Sequence, residues 1–139
     1  MNALTVPATL ESLPAIEDYV TQVVAAAGLP NRSAYSLRLA VVELATNSIS
    51  YGYPAGQPGT VRMHATLHER TVTVVLEDDG IPFDPRRAKP PTDLGRPAEE
   101  RKIGGLGVFL ALRSVDQFDY EYAGNRNRSI MVVNRPQGS

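Results

Sequence analysis

Apolar residues recur at helical spacing in two stretches of the N-terminal half. Leu13, Ile16, Val20, Val23 and Val24 share one face of a helix running to about Ala27, with Thr9 or Ser12 as its cap. Gly28 and Pro30 stop it. Leu37, Ala40, Val41, Leu44, Ala45 and Ile49 repeat the spacing in a second helix, from Asn31 or Ser33 to about Ser50. The period then changes. Val61, Met63, Ala65 and Leu67 alternate with Arg62, His64, Thr66 and His68, the mark of a half-buried strand. Thr71 to Glu77 forms the returning strand of a hairpin turned at Glu69-Arg70. A third helix is expected from Gly105 to about Val115. Gln117 to Tyr122 and Ser129 to Val133 make a last strand pair joined at Gly124-Asn125, and Leu4 to Val6 a short edge strand closed by Pro7.

Strands gathered in the middle and at the end, with helices between, predict one mixed sheet covered on a single face by helices, an α+β fold. Arg62, His64, Thr66 and Thr73 then point to the outer sheet face. The 139 residues fit one domain, 1–139, able to bury a sizeable core. A hydrophobic share of 42% and a charged share of 21% place the chain among soluble globular proteins. The net charge of -1 gives no electrostatic reason for nucleic acid or a membrane surface as partner. Absence of cysteine excludes disulfides and thiolate metal sites. Met1 to Pro7 lacks the basic start and apolar run of a signal peptide, and no stretch reaches the ~18 apolar residues of a membrane span. A cytoplasmic protein is expected. From Asp84 to Lys102 lie four of the eleven prolines, mixed charges and few large apolar residues. That composition predicts a loop, and loops of this length carry function or disorder.

Three separated segments carry the candidate chemistry. In Glu43-Leu-Ala-Thr-Asn47, positions four apart share a helix face, so a carboxylate and an amide meet at the margin of the core. An amide oxygen suits Mg²⁺, and a carboxylate one turn away can orient or deprotonate a nucleophile. A solvated glutamate and a surface asparagine would give the same pattern. Asp78-Asp-Gly80 follows the apolar strand Val72 to Leu76. A carboxylate there can accept from the exocyclic amine of adenine, with Gly80 permitting close approach, although Asp-Gly is also a common turn. Gly104-Gly-Leu-Gly107 opens the third helix, where backbone N–H groups attract phosphate, with Arg101 and Lys102 just before it. It is neither a Walker A loop nor a dinucleotide fingerprint. His64 and His68 have no third ligand at metal spacing and read as polar-face residues. The tyrosines at 51, 53, 120 and 122 read as packing or interface residues.

In these segments the chain resembles the GHKL ATPase superfamily. Glu43-x-x-x-Asn47 is similar to its N box, Asp78-x-Gly80 to its first glycine box, and Gly104-Gly-Leu-Gly107 to its second. Phe83-Asp84-Pro85, Gly107-Val-Phe-Leu110 and Val115-Asp116 resemble the small anti-sigma-factor serine/threonine kinases of bacteria. The resemblance extends from the first helix to Val133 and implies a two-layer α/β sandwich of the histidine-kinase-like type, with ATP and Mg²⁺ as cofactors. It assigns Glu43 as catalytic base, Asn47 as Mg²⁺ ligand, Asp78 to adenine and Gly80 to the shape of its pocket. It gives Gly104, Gly105 and Gly107 to the phosphates, Ser129 to the adenine side, and the loop from Arg86 to Lys102 to a nucleotide lid; Lys102, with Arg101, is expected from its charge just before these glycines to partner the terminal phosphate. Two positions depart from the pattern: Tyr51 where many relatives have His, and Ser129 where many have Thr.

The implied partners are a STAS-type anti-anti-sigma protein, phosphorylated on serine or threonine, and a sigma factor; a homodimer is compatible with the resemblance. A nucleotide-gated binding module without phosphoryl transfer is the alternative, against which Glu43 counts, since binding alone needs no base. A detached histidine-kinase catalytic domain is a third option, disfavoured by Phe83-Asp84-Pro85 and by the lack of a helical hairpin with a phospho-acceptor histidine. Gyrase-type machines need further domains.

Overall fold

A computed structural model of the chain describes residues 1–54, 56–87 and 106–136. Its elements are β1 (Leu4–Pro7), α1 (Leu13–Ala27), α2 (Asn31–Tyr51), β2 (Thr60–Leu67), β3 (Thr71–Asp78), α3 (Leu106–Ser114), β4 (Gln117–Ala123) and β5 (Arg126–Asn134). Short 3-10 turns occupy Leu10–Ser12 and Pro85–Arg87. The first helix ends as expected at Gly28, whose φ of 66° is the left-handed geometry that lets its N–H cap α1.

The five strands form one sheet in the order β1-β2-β3-β5-β4. Helices over one face of a sheet were expected and are found; the mixed pairing is corrected. Every hydrogen-bonded pair is antiparallel. The reason is topological. β3 and β4 do run in the same direction, but β5 returns by the Gly124-Asn125 turn and inserts between them. Both turn residues have positive φ, 60° and 61°, the geometry of a two-residue hairpin. Pairing therefore begins immediately, at Ala123↔Arg126, and β5 starts three residues earlier than the apolar alternation suggested.

Alternation sets the two faces. Val61, Met63, Val72, Val74, Met131 and Val133 point inward and are buried with Ile16, Val20, Val23, Leu37, Val41 and Leu44 from the helices. Complete burial stabilises the sandwich by roughly 1.5–3 kcal/mol for each such side chain. α3 packs on α2 rather than extending the sheet cover alone.

On the outer face the strand register aligns Arg62, Glu77, Arg128 and Glu121 in one row of alternating charge. Glu77, only 8% exposed, lies 3.3 Å from Arg62 and 3.9 Å from Arg128, and Arg128 pairs with Glu121. His64 sits 3.6 Å from Glu77. Burial, together with Arg62, nevertheless holds its imidazole below the ordinary range against the pull of Glu77. The expected outer residues Arg62, His64, Thr66 and Thr73 are on this face, and Glu77 ties Arg62 and His64 into the row.

Candidate functional site

β3 delivers Asp78 to the site. Its inward residues run Val72, Val74, Leu76 and then Asp78, so the alternation that builds the core places a carboxylate where the core ends. The residue is 5% exposed, and three donors hold its carboxylate. Gly80 N–H and Asn127 Nδ2 each donate to Oδ1 at 2.9 Å, and Ser48 Oγ donates to Oδ2 at 2.8 Å. An ionised carboxylate oxygen has about two acceptor sites, so Oδ2 keeps one for a further donor.

Asp79 faces elsewhere. It accepts from the Tyr53 hydroxyl at 2.7 Å and from Thr60 N–H at 2.9 Å. Burial pushes this carboxyl up, but those two bonds outweigh it and hold it below the ordinary value. Burial and the bond to Asp79 push the Tyr53 phenol up in turn. One acid of the pair is structural, closing the loop after α2, and the other lines the cavity.

Gly80 joins the strand exit to the end of α2. A Cβ there would lie 2.6 Å from the Gly52 carbonyl oxygen, which accepts from Ile81 N–H at 2.9 Å. No side chain fits without moving backbone. Gly80 thus permits the close approach of the β3 exit to the end of α2.

A cavity of about 190 Å³ opens between α2 and the ends of β3 and β5, with Asn47, Ser48, Asp78, Phe83, Asn127 and Ser129 in its walls. Asn47 Oδ1 is buried and has no hydrogen-bond partner among the described residues. A buried acceptor left unpaired costs about 1–3 kcal/mol, so a group that paired with this oxygen would recover that cost. Its chemistry fits Mg²⁺, a hard cation that takes oxygen donors and keeps waters and phosphates. Asn47→Leu is therefore expected to remove the Mg²⁺-dependent part of nucleotide affinity, about tenfold or more, while the nucleotide-free protein melts no lower than the parent. Calorimetry with and without EDTA checks this; equal losses in both conditions would exclude a metal role.

Glu43 stands one turn earlier on α2, half-buried and outside the cavity wall. Its carboxylate reaches the first turn of α3, where a Cβ on Gly107 would overlap Oε2. The start of a helix favours a negative charge. The first and third sequence segments thus meet, as one site requires. Lys102, Gly104 and Gly105, and all but the first two residues of the expected lid, lie outside the described residues.

Ser129 is buried, 7% exposed, and lines the cavity, but as the fourth residue of β5 rather than its first. Tyr51, half exposed, closes α2 at the cavity mouth. Sequence reading missed Ser48 and Asn127. The signal for Asn127 was strand parity: it shares the inward face with Ser129, Met131 and Val133, but only once β5 is begun at Arg126. Phe83-Asp84-Pro85 proves to be an anchor. Asp84 accepts from Arg86 N–H at 2.9 Å and from its guanidinium at 2.8 Å, and the Arg86 guanidinium beside it holds the carboxyl low. That guanidinium also lies 5.9 Å from the centre of the Tyr120 ring.

Helices over one face of an antiparallel sheet, with a polar-ended cavity beside its central strands, make the chain a two-layer α+β sandwich domain. Residues 6–133 match the histidine kinase-like ATPase domain, and the chain belongs to that family. It is similar to the serine-protein kinase RsbW of Listeria monocytogenes, 31% identical over 120 residues that cover 79% of this chain and 76% of that one. It is likewise similar to the serine-protein kinase RsbW of Halalkalibacterium halodurans, 31% identical with 81% and 75% covered, and to the anti-sigma F factor of Clostridium novyi, 34% identical with 69% and 66% covered. Among solved structures, the fold is similar to that of the RsbU and RsbW domains of a Mycobacterium tuberculosis protein. The TM-score is 0.65 at 15% identity, over 98% of this chain and 34% of that one, so the chain spans about a third of that solved protein. No helix among the described residues is long and apolar enough to cross a membrane.

Proposed function

We propose that this chain is an ATP-dependent serine/threonine protein kinase acting as an anti-sigma factor. It binds a sigma factor and phosphorylates a STAS-type anti-anti-sigma partner in the cytoplasm. The observation that carries the reading is one cavity walled by an engaged carboxylate with a spare acceptor site, Asp78, and an amide oxygen unpaired among the described residues, Asn47, with Glu43 one turn away. The kinase and anti-sigma names of the relatives support it.

In this reading Asp78 accepts from the adenine amine, and the glycine at 80 keeps that approach open. Asn47 holds Mg²⁺, which when bound neutralises phosphate charge. Glu43 takes the proton of the attacking hydroxyl. Phosphoryl transfer asks for little beyond such positioning and charge stabilisation. Gly107, with Gly104 and Gly105 by resemblance and Lys102 by its charge beside them, serves the phosphates.

The test is incubation with γ-labelled ATP, Mg²⁺ and a small anti-anti-sigma protein from the same genome. Label should appear on a serine or threonine of that partner. Nucleotide-dependent partner binding without transfer of label would replace the kinase by the binding module, and no response to ATP at all would remove both.

A further inference from the structure

Asn127 is buried, 6% exposed, and every polar atom of its side chain is in use. Nδ2 donates to Asp78 Oδ1 at 2.9 Å and to Ile81 O at 2.9 Å, with a longer approach to Gly80 O at 3.5 Å. Oδ1 accepts from Phe83 N–H at 3.0 Å and from the Tyr120 hydroxyl. The register explains the placement: Asn127 is the direct cross-strand partner of Asp78 at the end of β3. One amide therefore touches the carboxylate, both sides of the Ile81–Phe83 segment, and a tyrosine on the edge strand.

Only a side chain that donates and accepts at once can do this. An aspartate there would face Asp78 with a second charge and have no donor. An aliphatic residue would take away the partners of Phe83 N–H and Ile81 O and leave Asp78 Oδ1 with Gly80 N–H alone. Ser48 and Gly80 also bond Asp78, but neither reaches across the cavity wall formed by Ile81, Pro82 and Phe83.

We infer that Asn127 is a specificity-determining positioning residue: it sets the plane of the Asp78 carboxylate against the Ile81–Phe83 wall, so that the pocket selects a purine bearing a 6-amine. The inference rests on the reading that Asp78 receives the base. Asn127 need not touch the nucleotide. It holds Oδ2 of Asp78 at the angle and depth at which the amine, and not a carbonyl in its place, is accepted. A carbonyl oxygen there would meet an acceptor with no proton between them, and both would lie desolvated.

The probes are ATP and inosine triphosphate, which share sugar and phosphates; inosine has a carbonyl in place of the amine and an N1–H in place of the N1 acceptor. In the parent, ATP should bind at least about tenfold tighter, the scale of one buried hydrogen bond gained or lost. Asn127→Ala and Asn127→Asp should bring that ratio down to within about twofold of unity, because both lose the donor that fixes Asp78. Asn127→Asp carries a second readout. Two facing carboxylates favour sharing one proton, so lowering the pH supplies an O–H donor beside Asp78 and should move the ATP preference back toward that of the parent. A merely structural residue would weaken both nucleotides equally, leaving the ratio intact and without pH dependence; that result overturns the inference. Should Asn127→Ala fail to fold, the isosteric aspartate variant decides by itself. A parent that does not distinguish the two nucleotides would instead overturn the reading of Asp78, and the inference with it.

Discussion

A Glu43→Ala protein should retain its nucleotide and lose phosphoryl transfer, the rate falling by roughly 10²–10⁴-fold, the range that one positioned base contributes. Binding should survive because Glu43 is outside the cavity wall, while Asp78, Asn47 and Ser129 are in it. Transfer should fail because no other carboxylate of α2 lies on that face; Glu43 is the only acidic residue of the helix. Its contact with Gly107 sharpens the expectation. Gly107→Ala would push the carboxylate aside without deleting it, and should lower transfer in the same direction by a smaller factor. Labelled-ATP assays with the partner, run beside calorimetry, separate rate from affinity. A Glu43→Ala protein transferring phosphate at the parent rate would remove Glu43 as the base.

Much of this was legible in the sequence, and the gaps have physical causes. The helix faces and strand alternation are local periodicities, so α1, α2, β2 and β3 fall within a few residues of expectation. The pairing of β3 with β5 is not local. Nothing in the composition of Ser129 to Val133 says that this strand inserts between β3 and β4, and a mixed sheet was the natural but incorrect expectation. The site divides in the same way. Glu43, Asn47, Asp78 and Gly80 announce themselves as motifs. Ser48 and Asn127 do not, because their roles arise from cross-element bonds to Asp78 over separations of 30 and 49 residues. The two aspartates at 78 and 79 look equivalent in sequence. Strand parity alone sends one into the cavity and the other to Tyr53 and Thr60.

The largest effect on binding should come from Asp78→Asn. The parent carboxylate accepts three hydrogen bonds and keeps a site for the fourth. An amide of the same shape has one oxygen and one NH₂ group. If the oxygen stays at the Oδ1 position, it can still accept from Gly80 and Asn127, but the NH₂ then faces Ser48 Oγ and the base. Toward the adenine amine it presents a donor to a donor. The alternative orientation sets that NH₂ against Asn127 Nδ2 and Gly80 N–H, which is worse by one bond. A hydrogen bond to a charged group contributes about 1.5–3 kcal/mol, so ATP affinity should drop by roughly 10–150-fold. At about ten times the parent's Kd, the ATP-induced rise in melting temperature should shrink to about a third or less, since the stabilisation grows as RT ln(1 + [L]/Kd). Ser48→Ala, which removes one donor and leaves the charge, should cost only a few-fold in affinity. Titration calorimetry and thermal melting of the three proteins with ATP and Mg²⁺ provide the comparison. If Asp78→Asn binds ATP as the parent does, the nucleotide base sits elsewhere, and the cavity between α2 and β3 must be reassigned.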